Sequence, residues 1–393
     1  MGNSRRVGRR AMIGMAMGAV GAVGVGAFAG HAATRRGSAD NGVDRSDAVQ
    51  RELDLLTGVD GIPGVLAYIR DSDRPATTLT SGTAELGTGR PMVGGDARFR
   101  IGSVTKTFTA VAVLQLVDHG AVRLDEPIET YLPGVVRGTG DGAEIDGRHI
   151  SVRQLLQHTS GVPDYMDHIN PPEWDRPVDA EELVRLALAI EPDFDPGRGW
   201  KYCSTGYLIA GMLVERLTDQ DIGTAVTERV IEPARLPDTY WPPTGEREIR
   251  GRHAQVYLGD PADPQAPLRD VTEFEPSLSG AAGAMVSTPA DLDAFWRRLF
   301  AGRLLSRRAL AEMRTVMESG PGEGYGLGLQ RFRLTGGGCF WGHLGDTLGS
   351  SIRSGLDASG RHVTAYITAR TGSDQAKARL VNAVDAAFTT SRR

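Results

Sequence analysis

The sequence predicts an α/β (α+β) fold: an antiparallel sheet built from both chain ends with flanking helices, plus an inserted, mostly helical lobe. Three observations predict it. Strand-like runs stand early, at Gly64–Arg70 and Ala76–Thr80, and return late, at Leu327–Leu334, Cys339–His343, Ser350–Arg353 and His362–Thr368. From Leu124 to about Ser319 the pattern is of helical pieces broken by Pro/Gly loops. Before that lobe, Phe108, Val111, Ala112, Val113, Leu114, Leu116 and Val117 are apolar nearly all round one helix, which is therefore expected to be buried.

The N-terminus differs in kind from the rest. Arg5-Arg6 and Arg9-Arg10 precede an uncharged stretch, Ala11 to Ala29, that ends Ala27-Phe28-Ala29. This is a charged n-region, an apolar h-region and a small-residue cleavage site. Two arginine pairs and a Gly-rich, weakly apolar h-region favour twin-arginine export, so residues 1–33 are read as the signal. An uncleaved membrane anchor is the alternative, since about 20 apolar residues can span. No cysteine lies near the cleavage point, which excludes a lipoprotein.

Residues 34–46 read as a polar linker, and 47–393 as one domain whose helical lobe covers about 124–319. Asp47–Leu56 carries Val49, Leu53 and Leu56 at helical spacing. The first two strands are separated by the turn signal Asp71-Ser72-Asp73-Arg74-Pro75. Within the lobe, helices are expected at Val152–Gln157, Ala180–Ile190, Thr205–Leu217 and Pro289–Phe300, and Ser373–Phe388 reads as a closing helix.

At 393 residues and 40% hydrophobic, the chain can bury a large core. The signal holds four arginines and no acids, so the mature charge is 40 − 49 = −9. An acidic chain has no electrostatic footprint for nucleic acid. Cys203 and Cys339 are too few for a disulfide framework, although the compartment allows a single bridge. The eight histidines form no HExxH and no Cys/His cluster, so neither a metal nor another cofactor is expected.

Chemistry enters at Ser103 and Lys106, three residues apart at the start of the buried helix. Residues i and i+3 share a helix face, which places a hydroxyl beside an ammonium. As a mere N-cap, Ser103 would favour a carboxylate three positions on, and a cation in the first turn opposes the helix dipole. Lys106 breaks both rules. The chain has 44 Lys+Arg but only three lysines, Lys106, Lys201 and Lys377. Arginine cannot give up its proton, whereas a desolvated lysine can. The pair therefore reads as a nucleophile and its proton-transfer partner.

Two further segments are candidate site furniture. Pro196 to Gly206 is a Gly-rich loop delivering Tyr202 to a helix start, although from this loop's residues alone a tyrosine staple over a Ser or Thr cap is the favoured reading. Gly337 to Asp346 is a strand whose His343 is flanked by glycines, a mark of close backbone approach, or else simply an edge histidine.

Together these segments resemble the serine β-lactamase and penicillin-binding protein superfamily, in particular secreted D-alanyl-D-alanine carboxypeptidases and class C β-lactamase-like hydrolases. That family has Ser-x-x-Lys, then Tyr-x-Asn, then His- or Lys-x-Gly, in that order. The corresponding segments are Ser103-Val-Thr-Lys106, Tyr202-Cys-Ser204 and His343-Leu-Gly345. The likeness continues through Leu155-Leu-Gln-His158-Thr-Ser-Gly161, Thr205 to Met212 and Tyr325-Gly-Leu-Gly-Leu329.

The resemblance implies that Ser103 attacks a carbonyl to form an acyl-enzyme, and that Lys106 and Tyr202 move its proton, each with a lowered pKa. It implies an oxyanion hole from the Ser103 N–H and one on the strand after His343, with His343 polarising the site opposite. Substrate-binding positions are Ser204, Gln330, Leu344, Gly345 and Asp346. Family carboxypeptidases grip a terminal carboxylate with an arginine and threonines. Here Gln330 takes the arginine's place, and Leu344 and Asp346 the threonines'. Arg331 and Arg333 alternate to the face opposite Gln330.

The expected function is a secreted, monomeric serine hydrolase acting through an acyl-enzyme on an amide or ester. Its partner would be a small molecule or peptide, such as a peptidoglycan stem peptide or β-lactam, with membrane contact only through an uncleaved signal. The alternatives are an esterase, an acyl transferase or cyclase on a non-carboxylate substrate, and a β-lactam- or cell-wall-binding protein without turnover.

Overall fold

The computed structural model describes residues 45–169, 176–260, 263, 266–320 and 322–389. The expected signal and nearly all of the linker lie outside the described residues. One eight-stranded sheet organises the chain. Its strands are β1 (Gly64–Arg70), β2 (Thr77–Gly82), β3 (Met317–Gly320), β4 (Glu323–Tyr325), β5 (Gln330–Arg333), β6 (Cys339–Asp346), β7 (Ser351–Asp357) and β8 (His362–Ile367). They lie in the order β2-β1-β8-β7-β6-β5-β4-β3, each pair antiparallel. The two chain ends meet where β1 pairs with β8, Val65 opposite Ile367, and the Gly64 N–H donates to Thr368 Oγ1 at 2.9 Å.

Strand periodicity of two sorts the side chains. Val65, Ala67, Ile69, Val363, Ala365 and Ile367 face helices α1 (Arg45–Gly58) and α5 (Asp374–Thr389), whose Val49, Leu53, Leu56, Leu380 and Val384 complete that core. Leu66, Tyr68, Ile352 and Tyr366 face a larger core shared with α2 (Thr105–Asp118), α3 (Thr205–Thr218) and α4 (Pro289–Phe300). Because helices cover both faces, β1 and β8 are buried almost end to end, and their sequences read as continuous apolar runs.

The α2 helix is buried all round, as expected, and its threonines are satisfied by neighbouring backbone. Thr107 donates to Gly328 O at 2.7 Å, Thr109 donates to Ala281 O at 2.8 Å, and Thr105 Oγ1 accepts the Met285 N–H at 3.2 Å. Buried hydroxyls without such partners would each cost about 1–3 kcal/mol. Two strands escape the sequence pattern. Met317–Gly320 falls inside the expected lobe, which therefore gives way to the sheet before Ser319, and Glu323–Tyr325 follows it. Both are short, carry glycine and glutamate, and lack an alternating apolar pattern.

Candidate active site

Ser103 lies in a 3-10 turn, Gly102–Val104, that runs directly into α2. It caps neither element: the cap positions are Ile101 and Val104, without side-chain cap bonds. Its hydroxyl instead meets Lys106, whose Nζ is 3.1 Å from Ser103 Oγ, 3.4 Å from Ser204 Oγ and 3.0 Å from Ala282 O. Lys106 is 1% exposed, and burial pulls its pKa down to about 8 against the opposing pull of Asp164. Roughly a tenth of the amine is then neutral at pH 7 and half at about pH 8.

Acylation needs the unprotonated amine, so kcat/KM is expected to rise with pH through an inflection near 8. A pH–rate profile on a neutral ester checks this. A flat profile across roughly pH 6 to 9 would take the base role away from Lys106.

The loop before α3 brings Tyr202 and Ser204 to the same place. Ser204 stands at the helix start without a side-chain cap bond, its N–H donating to Asp164 Oδ2 at 2.9 Å and its hydroxyl facing Lys106. Lys106 Nζ lies 4.9 Å from the centroid of the Tyr202 ring. The expectation of a lowered Tyr202 pKa fails. Burial pushes the phenol well above its ordinary value, and interaction with the Ser103 hydroxyl offsets this only in part. Tyr202 is therefore a neutral phenol that passes or holds a proton, not a phenolate base.

His343 lines the cleft as an uncharged ring. It is 1% exposed, and burial pushes its pKa down to about 3, so the ring is uncharged near neutrality. Nδ1 donates to the Leu344 carbonyl, so Nε2 accepts, and it does so from the Tyr325 hydroxyl at 2.9 Å. With both nitrogens engaged and no charge, His343 cannot polarise a substrate as a cation. It holds the strand and Tyr325 together.

The close backbone approach is real and falls at two glycines. A β-carbon on Gly345 would collide with Ile101 O, and one on Gly102, at φ +49°, would collide with the Asp346 backbone. β6 can therefore lie against the nucleophile turn. Leu344 N–H points out of the β6 edge and donates to Gln330 Oε1 at 3.0 Å, where β5 has ended. The Asp346 N–H, two residues on, emerges from the same edge beside Ser103. With the Leu344 N–H taken by Gln330, the Asp346 N–H is the strand donor left to join that of Ser103 in the expected oxyanion hole.

Ser103, Lys106, Tyr202, Ser204, Gln330, His343, Leu344 and Asp346 line one cleft of about 660 Å³, measured with its open mouth. Gly345 contributes spacing instead of lining. Gln330 is occupied with Leu344 N–H, Arg331 is paired with Glu318 at 2.6 Å, and Asp346 accepts from Ser351 at 2.6 Å. Among the described residues that line the cleft, the basic side chains are Lys106 and the uncharged His343.

A beta-lactamase family model matches residues 50–388. The chain belongs to the beta-lactamase family. Among curated relatives, penicillin-binding protein 4 of Amycolatopsis lactamdurans is 34% identical over 63% of this chain and 62% of its own length. Esterase EstB of Burkholderia gladioli is 34% identical over 44% of this chain and 46% of its own. Both matches span less than two thirds of the relative. Among solved structures, a D-stereospecific amidohydrolase from Streptomyces sp. superposes with a TM-score of 0.77 at 37% identity, covering 88% of this chain and 99% of that one. A D-amino acid amidase from Ochrobactrum anthropi SV3 gives 0.74 at 28%, covering 88% and 98%.

Sequence reasoning missed other members of this family site. Asp164, 4% exposed, accepts from Ser204 and Met166 N–H groups and faces Lys106. Ala282 contributes only a carbonyl, and Ser279, Ala282 and Gly283 form one wall. The only signals were Pro163-Asp164 after Gly161 and a run of small residues at Ser279–Gly283. A second succession, Ser354, His362 and Asp293, mimics a hydrolase triad, with contacts of 3.3 and 3.5 Å. All three are at most 1% exposed, and Trp296 Nε1 donates to the serine at 2.9 Å, so no substrate reaches it. Among the described residues, no group of three His, Cys, Asp or Glu could hold a metal, and no helix is long and apolar enough to cross a membrane.

Proposed function

We propose that this hydrolase cleaves amides or esters of D-configured acyl groups whose leaving side carries no free carboxylate. The observation behind this is the charge of the cleft. Beside the uncharged His343, its one described basic side chain, Lys106, is directed at Ser103, and Asp346 also lines it. A neutral leaving group suits that wall, and a carboxylate is repelled by it. The amidohydrolase and amidase neighbours carry D-stereospecific chemistry in their names, which supports the same class.

The chemical sequence follows from the residues. As Ser103 Oγ bonds the substrate carbonyl, its proton passes to Lys106, with Tyr202 holding the hydroxyl in place. The Ser103 and Asp346 N–H groups receive the oxyanion. The proton then leaves with the amine or alcohol, and water repeats the steps on the acyl-enzyme. The test offers D- and L-amino acid amides as enantiomer pairs and follows intact mass. A D preference with a transient adduct on Ser103 supports the reading. An L preference overturns the stereochemistry, and a permanent adduct overturns turnover.

We propose also that the protein acts outside the cytoplasm after twin-arginine export, on the strength of Arg5-Arg6, Arg9-Arg10 and Ala27-Phe28-Ala29. The mature chain is then expected to begin between Gly30 and Thr34. N-terminal sequencing of secreted protein checks this, and full-length chain confined to the membrane fraction would point to an anchor.

A further inference from the structure

We infer that His158 is a positioning residue that holds Tyr202 against Ser103 from three sides. Its backbone carbonyl accepts the Lys201 N–H at 3.1 Å, its ring Nδ1 accepts the Cys203 N–H at 3.1 Å, and its ring lies 4.4 Å from the Tyr202 ring, centroid to centroid. The residues on either side of Tyr202 are thus hydrogen-bonded to one side chain and its own backbone. The third contact fixes the tyrosine between them.

Three features separate this from space-filling. His158 ends the helix Val152–Gln157 at φ +64°, a left-handed position where glycine is the ordinary choice and a ring is disfavoured. In that conformation its carbonyl and its ring both face the 201–203 segment. Second, accepting at Nδ1 puts the neutral ring's proton on Nε2, which has no partner although the residue is 1% exposed. A phenylalanine would fill the same space among Tyr202, Tyr207 and Tyr325 without burying an unpaired N–H. The Nδ1 acceptor is what a phenylalanine lacks. Third, desolvation and the neighbouring Lys106 ammonium keep the ring neutral, the state in which Nδ1 accepts.

The inference rests on the acyl-enzyme site and not on its substrate class, so an activated p-nitrophenyl acyl ester serves as the probe. Ser103→Ala is the control: turnover surviving there would sink the site itself. His158→Asn places Oδ1 where Nδ1 stands and tolerates the left-handed backbone. It is expected to keep kcat within roughly tenfold of wild type. His158→Phe keeps a ring but loses the acceptor. It is expected to lower kcat by roughly 30-fold or more at a KM within about threefold, the scale of a misplaced catalytic group. In a Tyr202→Phe background the same change should lower kcat by less than about threefold, because the group it positions is gone. A merely structural role would give the same loss in both backgrounds.

His158→Phe at near-normal kcat, an undiminished effect without the Tyr202 hydroxyl, or His158→Asn as impaired as His158→Phe would each overturn the inference. Should His158→Phe not fold, His158→Asn decides alone. Activity within about tenfold supports the acceptor role, and a larger loss removes it.

Discussion

Ser103→Ala is expected to abolish acylation and turnover while leaving the melting temperature nearly unchanged. Ser103 is half-buried and makes no cap bond, and Lys106 keeps Ser204 and the Ala282 carbonyl as partners when the hydroxyl is lost, so that hydroxyl has little part in stability. Exposed or half-exposed positions without such contacts usually stay within about 0.5 kcal/mol. Lys106→Arg is expected to be almost as damaging, roughly 10³-fold or more in kcat, because guanidinium keeps its proton. The larger head must also displace the groups around Nζ, namely Ser103, Ser204, the Ala282 carbonyl and the Tyr202 and Tyr207 rings. Lys106→Met separates the two effects, since it removes the amine without adding bulk. Steady-state rates and intact-mass labelling on both variants are the measurements. Near-normal turnover in either would end the proton-transfer assignment.

On a D-Ala-D-Ala peptide, amidating or esterifying the C-terminus is expected to leave kcat/KM unchanged or raise it. A D,D-carboxypeptidase prefers the free acid because a cation and hydroxyls receive it, and Gln330, Leu344 and Asp346 supply none. A carboxylate brought close to Asp346 is opposed by about 1–4 kcal/mol at protein-surface dielectric. Asp346→Thr with Gln330→Arg is expected to turn the preference toward the free acid by about tenfold, or about 1.4 kcal/mol. Gln330 has a second duty, however, in accepting the Leu344 N–H. Replacing it loosens β6 and lowers kcat for every substrate, so the acid-to-amide ratio is the quantity to read, with Asp346→Thr alone isolating the electrostatic part. A wild-type enzyme much faster on the free acid would overturn the charge argument. Arg331 would then have to leave Glu318 for the cleft.

The nucleophile was legible in sequence because it broke rules. A lysine three residues after a serine opposed both capping and the dipole, in a chain that elsewhere relies on arginine. Helices with strong periodicity fell where expected, Val152–Gln157 and Pro289–Phe300 among them. What could not be read was electrostatic state. Nothing local to Tyr202 or His343 announces that Tyr325 and neighbouring rings desolvate them, and burial is what raises one pKa and lowers the other. The carbonyl of Ala282 left no trace either, since any residue supplies one. Asp164 was visible as a residue but not as a neighbour of Lys106, which lies far away along the chain.

The pairing of β1 with β8 has a consequence in time. Its hydrogen bond from Gly64 to Thr368 joins residues 304 positions apart. During synthesis at about 5–20 residues per second, β1 waits roughly 15–60 s for that partner. Until then β2 is its only strand partner, and a two-stranded hairpin is marginal in water. Its apolar face and one unpaired edge stay open to other nascent chains.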